Sequence, residues 1–134
     1  MSHQENAHIS AERIDNPRAL IVEFLSHSIA DPDHSTELSR QLAALVHQET
    51  PSRFIVDFKN VRTFSSTGFG ALVTFVIKVR KAGGEVLICN MDDFIRFGAD
   101  IIRLGDYAPI FADRQAALDR LASEHAAAPG PFVS

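Results

Sequence analysis

The segment from residue 54 to residue 89 constrains the fold of this chain most, because it predicts a strand, a turn, a helix and a second strand without interruption. Residues 54–58 are mostly apolar and prone to form β-structure. The hydroxyl side chains at positions 65–67 can cap the start of a helix, and apolar residues follow them at helical spacing. Gly83 is suited to a left-handed C-terminal cap. The segment therefore predicts one β–α–β unit.

The remaining segments continue the alternation between strands and helices. Predicted strands lie at residues 9–14, 19–25 and 110–111, and predicted helices at residues 33–48, 92–104 and 115–121. Asp33 is expected to cap the first of these helices, and Gly105 is expected to end the second. Alternating strands and helices predict an α/β fold, with a mixed, mostly parallel sheet of four to five strands and about four helices.

Length and composition predict one folded domain between two short ends. The chain has 134 residues, 46% of them hydrophobic, which is enough to bury one core. Residues 9–125 are expected to form the domain. Residues 1–8 are expected to be a flexible N-terminus and residues 126–134 a flexible tail, since both ends have little to bury.

Charge and hydropathy limit the kinds of partner. A net charge of −4 argues against a nucleic-acid binder, which would normally carry a basic face. No apolar run is long enough to cross a bilayer, so we expect no direct membrane insertion. The single cysteine, Cys89, and the polar first residues fit a reducing, cytoplasmic location. The expected partners are therefore proteins.

The sequence does not assemble a catalytic or metal site. The six histidines lack the spacing of metal ligands, so no metal is predicted. Gly68 and Gly70 lack the third glycine of a dinucleotide-binding motif and the Gly-Lys-Ser/Thr ending of a P-loop. Cys89 is predicted to be a small core residue, since no general base is placed near it. We therefore predict neither enzyme activity nor a cofactor on this chain.

The central segment carries a specific series of residues. In order, these are Asp57, Phe64, the run Ser-Ser-Thr-Gly-Phe-Gly at 65–70, the basic pair at 80–81 and the Gly-Gly-Glu-Val-Leu run at 83–87. The series resembles the STAS domain, which bacterial anti-sigma factor antagonists share with the cytoplasmic tails of sulfate transporters, and it is most similar to the antagonists. Ser65 departs from the pattern, because the family usually has Asp there. The resemblance implies the STAS-type (SpoIIAA-like) fold.

The resemblance also implies a function, an anti-sigma factor antagonist regulated by phosphorylation. In its unphosphorylated form such a protein binds an anti-sigma factor that is a kinase-fold serine kinase, and ATP belongs to that partner. Ser66 aligns with the family's phosphate acceptor, and Thr67 is the second choice. A phosphatase would restore binding. The chain is expected to be a monomer or a weak dimer.

The expected partner-binding surface combines the turn with two further places. It comprises Ser65, Ser66, Thr67, Gly68 and Phe69 of the turn, Asp31 and Asp33 of the loop before the first helix, and Phe94 of the third helix. Most apolar positions of that third helix are expected to be buried. One or two, from Phe94 and Phe97, are expected to be exposed as contact anchors beside Ser66.

A structural interpretation of the same residues stays open. The hydroxyls at 65–67 also fit a role as helix caps only, and Asp31 and Asp33 fit a simple turn into a helix. The chain would then be a constitutive scaffold, or a subunit of a larger signalling or lipid-transport ATPase assembly, without phosphorylation. A Ser66 hydroxyl that is buried and bonded only to the helix backbone would favour this interpretation.

Overall fold

The computed structural model describes residues 3–5, 9–15, 17–29, 32–48 and 53–127. The strands are β1 (His3–Glu5), β2 (Ile9–Asp15), β3 (Arg18–Phe24), β4 (Ser28–Ile29), β5 (Arg53–Asp57), β6 (Thr63–Phe64), β7 (Glu85–Cys89) and β8 (Ile110–Phe111). The helices are α1 (Pro32–Gln48), α2 (Ser66–Lys81), α3 (Asp93–Ile101) and α4 (Arg114–Ala127), with a 3-10 turn at Leu104–Asp106.

The described strands form one mixed sheet and one small ladder. The sheet has six strands in the order β1-β2-β3-β5-β7-β8, of which β1–β2 and β2–β3 pair antiparallel and the other neighbours pair parallel. Strands β4 and β6 pair parallel in a separate two-stranded ladder. The predicted α/β fold with a mostly parallel sheet is confirmed. β1 adds an edge strand within residues 1–8, which we expected to be flexible.

The helices cover the two faces of the sheet unequally. Phe54 and Val56 of the central strand β5 point into the larger core, together with apolar side chains of α1, α2 and α3. Ile55 points to the opposite face, into a smaller core that contains Ala117 and Leu121 of α4. Since successive side chains of a strand point to opposite faces, burial on both sides explains the nearly continuous apolar run in β5.

Both ends of α2 are closed by caps. The side chain of Ser65 accepts a hydrogen bond at the N-terminus. At the C-terminus, Gly83 has φ +89°, its N–H donates to the carbonyl of Arg80 at 3.0 Å, and the N–H of Gly84 donates to the carbonyl of Val79 at 2.9 Å. This pair of bonds is a Schellman motif. The predicted role of Gly83 is confirmed.

Two predicted helix boundaries were wrong. α1 begins at Pro32, so Asp33 lies within its first turn and does not cap it. α3 ends at Ile101 rather than at Gly105, because Arg103 adopts the left-handed conformation, with φ 57°. The guanidinium of Arg103 pairs with the carboxylate of Asp106 in the following 3-10 turn, with Nε and Oδ2 3.0 Å apart. The helix is therefore shorter than the apolar pattern suggested.

The prediction that most apolar positions of α3 are buried was also wrong. Ile95 and Ala99, four residues apart, occupy the inner face of the helix. The remaining large apolar side chains point outward, so that Phe94, Phe97, Ile101 and Ile102 are all exposed. Leu104, after the helix, is buried as expected. The predicted exposure of Phe94 and Phe97 is confirmed.

Cys89 ends strand β7 within the smaller core, where it is completely buried. Burial, and after it the negative charge of Asp57, raises the pKa of the Cys89 thiol to about 12. The reactive form of cysteine is the thiolate, which is therefore suppressed at neutral pH. The placement confirms Cys89 as a core residue.

We predict that the Cys89 thiol is protected in the folded protein. At about pH 8, close to the pKa of an ordinary thiol, a disulfide reagent should label the folded chain only as fast as the core opens. The same reagent should label the chain at once in guanidinium chloride. Rapid stoichiometric labelling of the native protein would contradict the described burial.

We also predict opposite effects of two glycine-to-alanine substitutions in one segment. Gly83→Ala should lower the free energy of unfolding by about 1 kcal/mol, because alanine is strained at positive φ. Gly70→Ala should raise it by up to about 1 kcal/mol, since alanine favours helix and a Cβ at position 70 meets nothing within 4 Å. Urea denaturation measures both values, and equal shifts of the same sign would contradict the assigned C-cap.

Candidate functional site

The turn before α2 is held by the loop that follows β3. The N–H of Ser65 donates to the carbonyl of Ile29 at 2.8 Å, and the N–H groups of Arg62 and Thr63 donate to the carbonyl of His27 at 2.7 and 3.1 Å. These bonds extend the pairing between β4 and β6. The start of α2 therefore has a fixed position relative to the loop before α1.

The three hydroxyls of the turn have different environments. Ser65 Oγ accepts a hydrogen bond from the N–H of Gly68 at 3.2 Å, which makes Ser65 the N-cap. Thr67 Oγ1 is hydrogen-bonded to Ser65 Oγ at 2.9 Å and to Ser35 Oγ at 3.0 Å. Ser66 is exposed, and its hydroxyl makes no hydrogen bond to any residue that the structure describes. The hydrogen bonds of the turn thus use Ser65 and Thr67 and leave Ser66 available.

The electrostatic surroundings of Ser66 favour a negative group. Ser66 is the first residue of α2, where the free N–H groups and the helix dipole carry partial positive charge. The first turn of α2 contains no acidic side chain. The bond between Thr67 and Ser35 brings the first turn of α1 beside it, and this turn adds a second positive helix end together with the exposed carboxylate of Asp33. An anion attached to Ser66 would therefore be stabilised rather than repelled by this backbone.

A groove of about 210 Å³ lies beside the turn. It runs between α3 and the β6–α2 connection, and its lining residues are Arg62, Thr63, Phe64, Phe69, Phe94, Ile95, Phe97 and Gly98. Four phenylalanine rings make it predominantly apolar. The sequence did not predict that Arg62 lines this groove, because nothing in the residues around it indicates such a position.

Aromatic packing fixes the floor of this groove. The ring of Phe64 packs edge-to-face against those of Phe69 and Phe58, with centroids 4.9 and 5.1 Å apart. A Cβ at Gly98 would lie 3.1 Å from the ring of Phe69, and a Cβ at Gly68 would lie 3.2 Å from that of Phe64. Gly98 therefore packs closely against Phe69, and α3 approaches α2 at this point.

The predicted partner-binding residues that the structure describes lie in three elements, α1, α2 and α3. Ser65 to Phe69 form the cap and first turn of α2, and Phe94 lies across the groove on α3, where it is 81% exposed. Asp33 is exposed in the first turn of α1, two residues before Ser35. Asp31 lies outside the described residues.

A cluster of charged side chains holds the carboxyl end of strand β5 in place. The carboxylate of Asp57, which is 1% exposed, accepts hydrogen bonds from Lys59 N at 2.9 Å, Asn90 Nδ2 at 3.0 Å and Arg114 Nε at 3.0 Å. Arg114 also pairs with Glu23. Sequence reasoning identified Asp57 only as a motif residue. No local pattern predicts its partner on α4, because Arg114 lies 57 residues away.

The described residues offer no metal centre and no membrane span. Within residues 3–5, 9–15, 17–29, 32–48 and 53–127, no group of three or more His, Cys, Asp or Glu side chains could hold a metal ion. None of the helices in the described part of the chain combines the length and hydropathy that crossing a bilayer requires.

Solved structures with the same fold carry related descriptions. An anti-sigma-factor antagonist (STAS) domain protein from Planctomyces limnophilus superposes with a TM-score of 0.75 at 15% identity, covering 87% of this chain and 99% of the other. A putative anti-sigma factor antagonist from Thermotoga maritima gives 0.70 at 10% identity, over 83% and 92%. The phosphorylated Bacillus cell fate determinant SpoIIAA gives 0.63 at 15% identity, over 84% and 98%. At these identities the likeness shows the fold.

Comparison at the level of sequence gives the family. No curated protein sequence matches the chain. The model of the STAS domain family matches residues 12–117, which run from within β2 to the first residues of α4 and include the turn at Ser66 and the groove. The match covers well over half of the chain and agrees with the motif between Asp57 and the glycine pair. This chain belongs to the STAS domain family.

Proposed function

We propose that this chain is an anti-sigma factor antagonist that binds a kinase-fold anti-sigma factor and is released by phosphorylation of Ser66. ATP and the kinase activity belong to the partner, and a phosphatase restores the binding form. The chain itself acts by docking and performs no chemistry.

The observation that carries this proposal is the free hydroxyl of Ser66. Its neighbours Ser65 and Thr67 supply the structural hydrogen bonds of the turn, whereas Ser66 is exposed and bonds to no described residue. A kinase can reach an exposed hydroxyl without unfolding the helix. The bonds to Ser65 and Ser35 also make Thr67 a poorer acceptor than Ser66.

Phosphorylation would change binding without changing the fold. A phosphate adds about −1.5 to −2 charges at neutral pH, and the N-terminus of α2 stabilises negative charge. Since no acidic side chain lies in the first turn, the modified helix has no carboxylate to repel the phosphate there. A partner surface that is acidic, or that fits closely around Ser66, would be displaced.

The surface offered to the partner combines this turn with the aromatic groove. Phe94 and Phe97 project from α3 on one side of the groove, and the turn lies on the other. Exposed aromatic side chains beside a polar turn are typical of interface anchors. Asp33 adds an exposed carboxylate in the first turn of α1, two residues before Ser35.

The first prediction concerns the charge at position 66. In affinity capture from lysate of the source cell, wild-type chain and Ser66→Ala should retain a kinase-fold protein, whereas Ser66→Asp should lose it. The Asp side chain introduces negative charge at the contact, and Ala changes only shape. Mass spectrometry identifies the retained proteins and also tests whether the native chain carries phosphate on Ser66.

Two controls make this result interpretable. Ser66→Asp should unfold in urea within about 0.5 kcal/mol of the wild type, because the substitution is exposed and favoured by the helix dipole. Thr67→Val removes the other candidate acceptor and should leave phosphorylation in place. If wild type, Ser66→Ala and Ser66→Asp all retain the same partners, and no phosphate is found on the native chain, the result would instead support a constitutive scaffold or a subunit of a larger assembly.

The second prediction concerns Ser65, where the family usually has Asp. Ser65→Ala should lower the free energy of unfolding by about 1 kcal/mol through loss of the N-cap. Ser65→Asp should retain the cap and gain about 0.5 kcal/mol from its charge at the helix N-terminus. Ser66→Ala, which removes a hydroxyl bonded to no described residue, is the matched control and should change stability little. An equal loss for Ser65→Ala and Ser66→Ala would contradict the assigned cap.

A further inference from the structure

The groove beside the turn is held open by packing within the chain itself. Phe64 and Phe69 form its floor, and their rings meet edge-to-face with centroids 4.9 Å apart. Gly98 lies against the ring of Phe69, where a side chain would come within 3.1 Å of it. Phe94 and Phe97 line the groove from α3. A preformed apolar groove with few polar groups is typical of a site for a small ligand.

Arg62 is the one charged residue among those that line the groove. Its Nη1 donates to the carbonyl of Lys59 at 3.1 Å and to that of Val61 at 3.4 Å. Its Nε and Nη2 make no hydrogen bond or ion pair with any residue in the described part of the chain. The guanidinium is therefore held by the backbone through one nitrogen, while the donors on its other edge are available to a ligand.

The surroundings of Arg62 favour an anion. None of the residues that line the groove is acidic. The hydroxyl of Thr63, next to Arg62, makes no hydrogen bond to a described residue and can donate to the same anion. Asp92 and Asp93 lie at the start of α3 but do not line the groove. The groove thus combines an apolar interior with one positive group.

We propose that this groove binds a small amphipathic carboxylate, with its apolar body among the four phenylalanine rings and its carboxylate on the free edge of Arg62. Charge complementarity selects the carboxylate, because Nε and Nη2 of a guanidinium can donate two parallel hydrogen bonds to its two oxygens. The rings select the apolar body, because they gain contact area and edge-to-face packing from it.

The volume of the groove limits the size of the ligand. At about 30 Å³ for each water molecule, 210 Å³ is room for roughly seven waters. Sites for drug-sized ligands begin at about 300 Å³. A single aromatic ring on a short chain suits the smaller space.

A bound carboxylate would also affect the surface that the proposed partner contacts. It would fill the space between Phe94 and the turn, so that ligand and partner would compete. The ligand site itself does not depend on the proposed function, because binding a small carboxylate requires neither an anti-sigma factor nor phosphorylation of Ser66.

The test is a titration of the isotope-labelled full chain with phenylpropionate at low salt, followed in amide NMR spectra. The amide signals of Thr63, Phe69 and Gly98 should shift and saturate, because these residues line the groove. Phenylpropanamide has the same shape without the charge and should bind about tenfold more weakly. Propionate, which lacks the ring, should give no saturable shifts up to about 10 mM.

Three variants separate the charge from the apolar contact. Arg62→Ala should weaken phenylpropionate by about tenfold and leave phenylpropanamide within about twofold. Phe94→Ser should weaken both ligands equally, by about fivefold. Arg96→Ala is the matched control, since it removes an exposed arginine of α3 that does not line the groove, and should leave both Kd values within about twofold. Circular dichroism should show that all three variants are folded, because the substituted side chains are exposed.

Three outcomes would overturn the proposal. The first is the absence of saturable shifts at the groove with phenylpropionate. The second is equal affinity of the wild type for phenylpropionate and phenylpropanamide, since the charge would then contribute nothing. The third is an Arg62→Ala variant that loses affinity for both ligands alike, which would assign to Arg62 a role in the shape of the groove rather than in binding the carboxylate.

Discussion

The burial of β5 on both faces is the constraint on which the rest of this structure depends. A strand covered by helices on both faces keeps its polar groups away from water. Asp57, the last residue of β5, is only 1% exposed, so its carboxylate needs partners within the protein, and Arg114, Asn90 and the backbone of Lys59 donate hydrogen bonds to it. These bonds fix where α4 begins on one face. They also fix where the chain leaves the sheet toward the turn before α2.

The three hydroxyls of that turn differ in the hydrogen bonds that they make. Ser65 closes the helix and Thr67 ties it to α1, so the local structure is complete without Ser66. A residue that is to be modified must not be needed for the fold, because adding charge to a side chain that stabilises the fold would destabilise the protein. The serine at position 65 caps the helix without bringing a carboxylate next to Ser66, the proposed phosphate acceptor. The departure from the family pattern therefore affects charge more than shape.

Local signals in the sequence were sufficient for the β–α–β unit and for the ends of α2. Ser65 and Gly83 act through bonds to residues at most four positions away, and propensity and spacing predict such bonds. Sequence reasoning failed where distant parts of the chain decide the outcome. It missed the pairing of Arg114 with Asp57. It also placed most apolar positions of α3 in the core, because an apolar pattern alone does not tell which side of a short helix the sheet covers.

The hydrogen bonds that shape the turn join segments far apart in the chain. Ser35 and Thr67 are separated by 32 residues, and the bond from Ser65 to Ile29 spans a similar distance. Contacts of this range close long loops and hold only while the intervening chain is folded. Under the proposed function, a kinase or a binding partner that recognises the shape of the turn would therefore act on folded molecules alone. Recognition at this surface would also test the fold, since an unfolded chain does not hold these bonds.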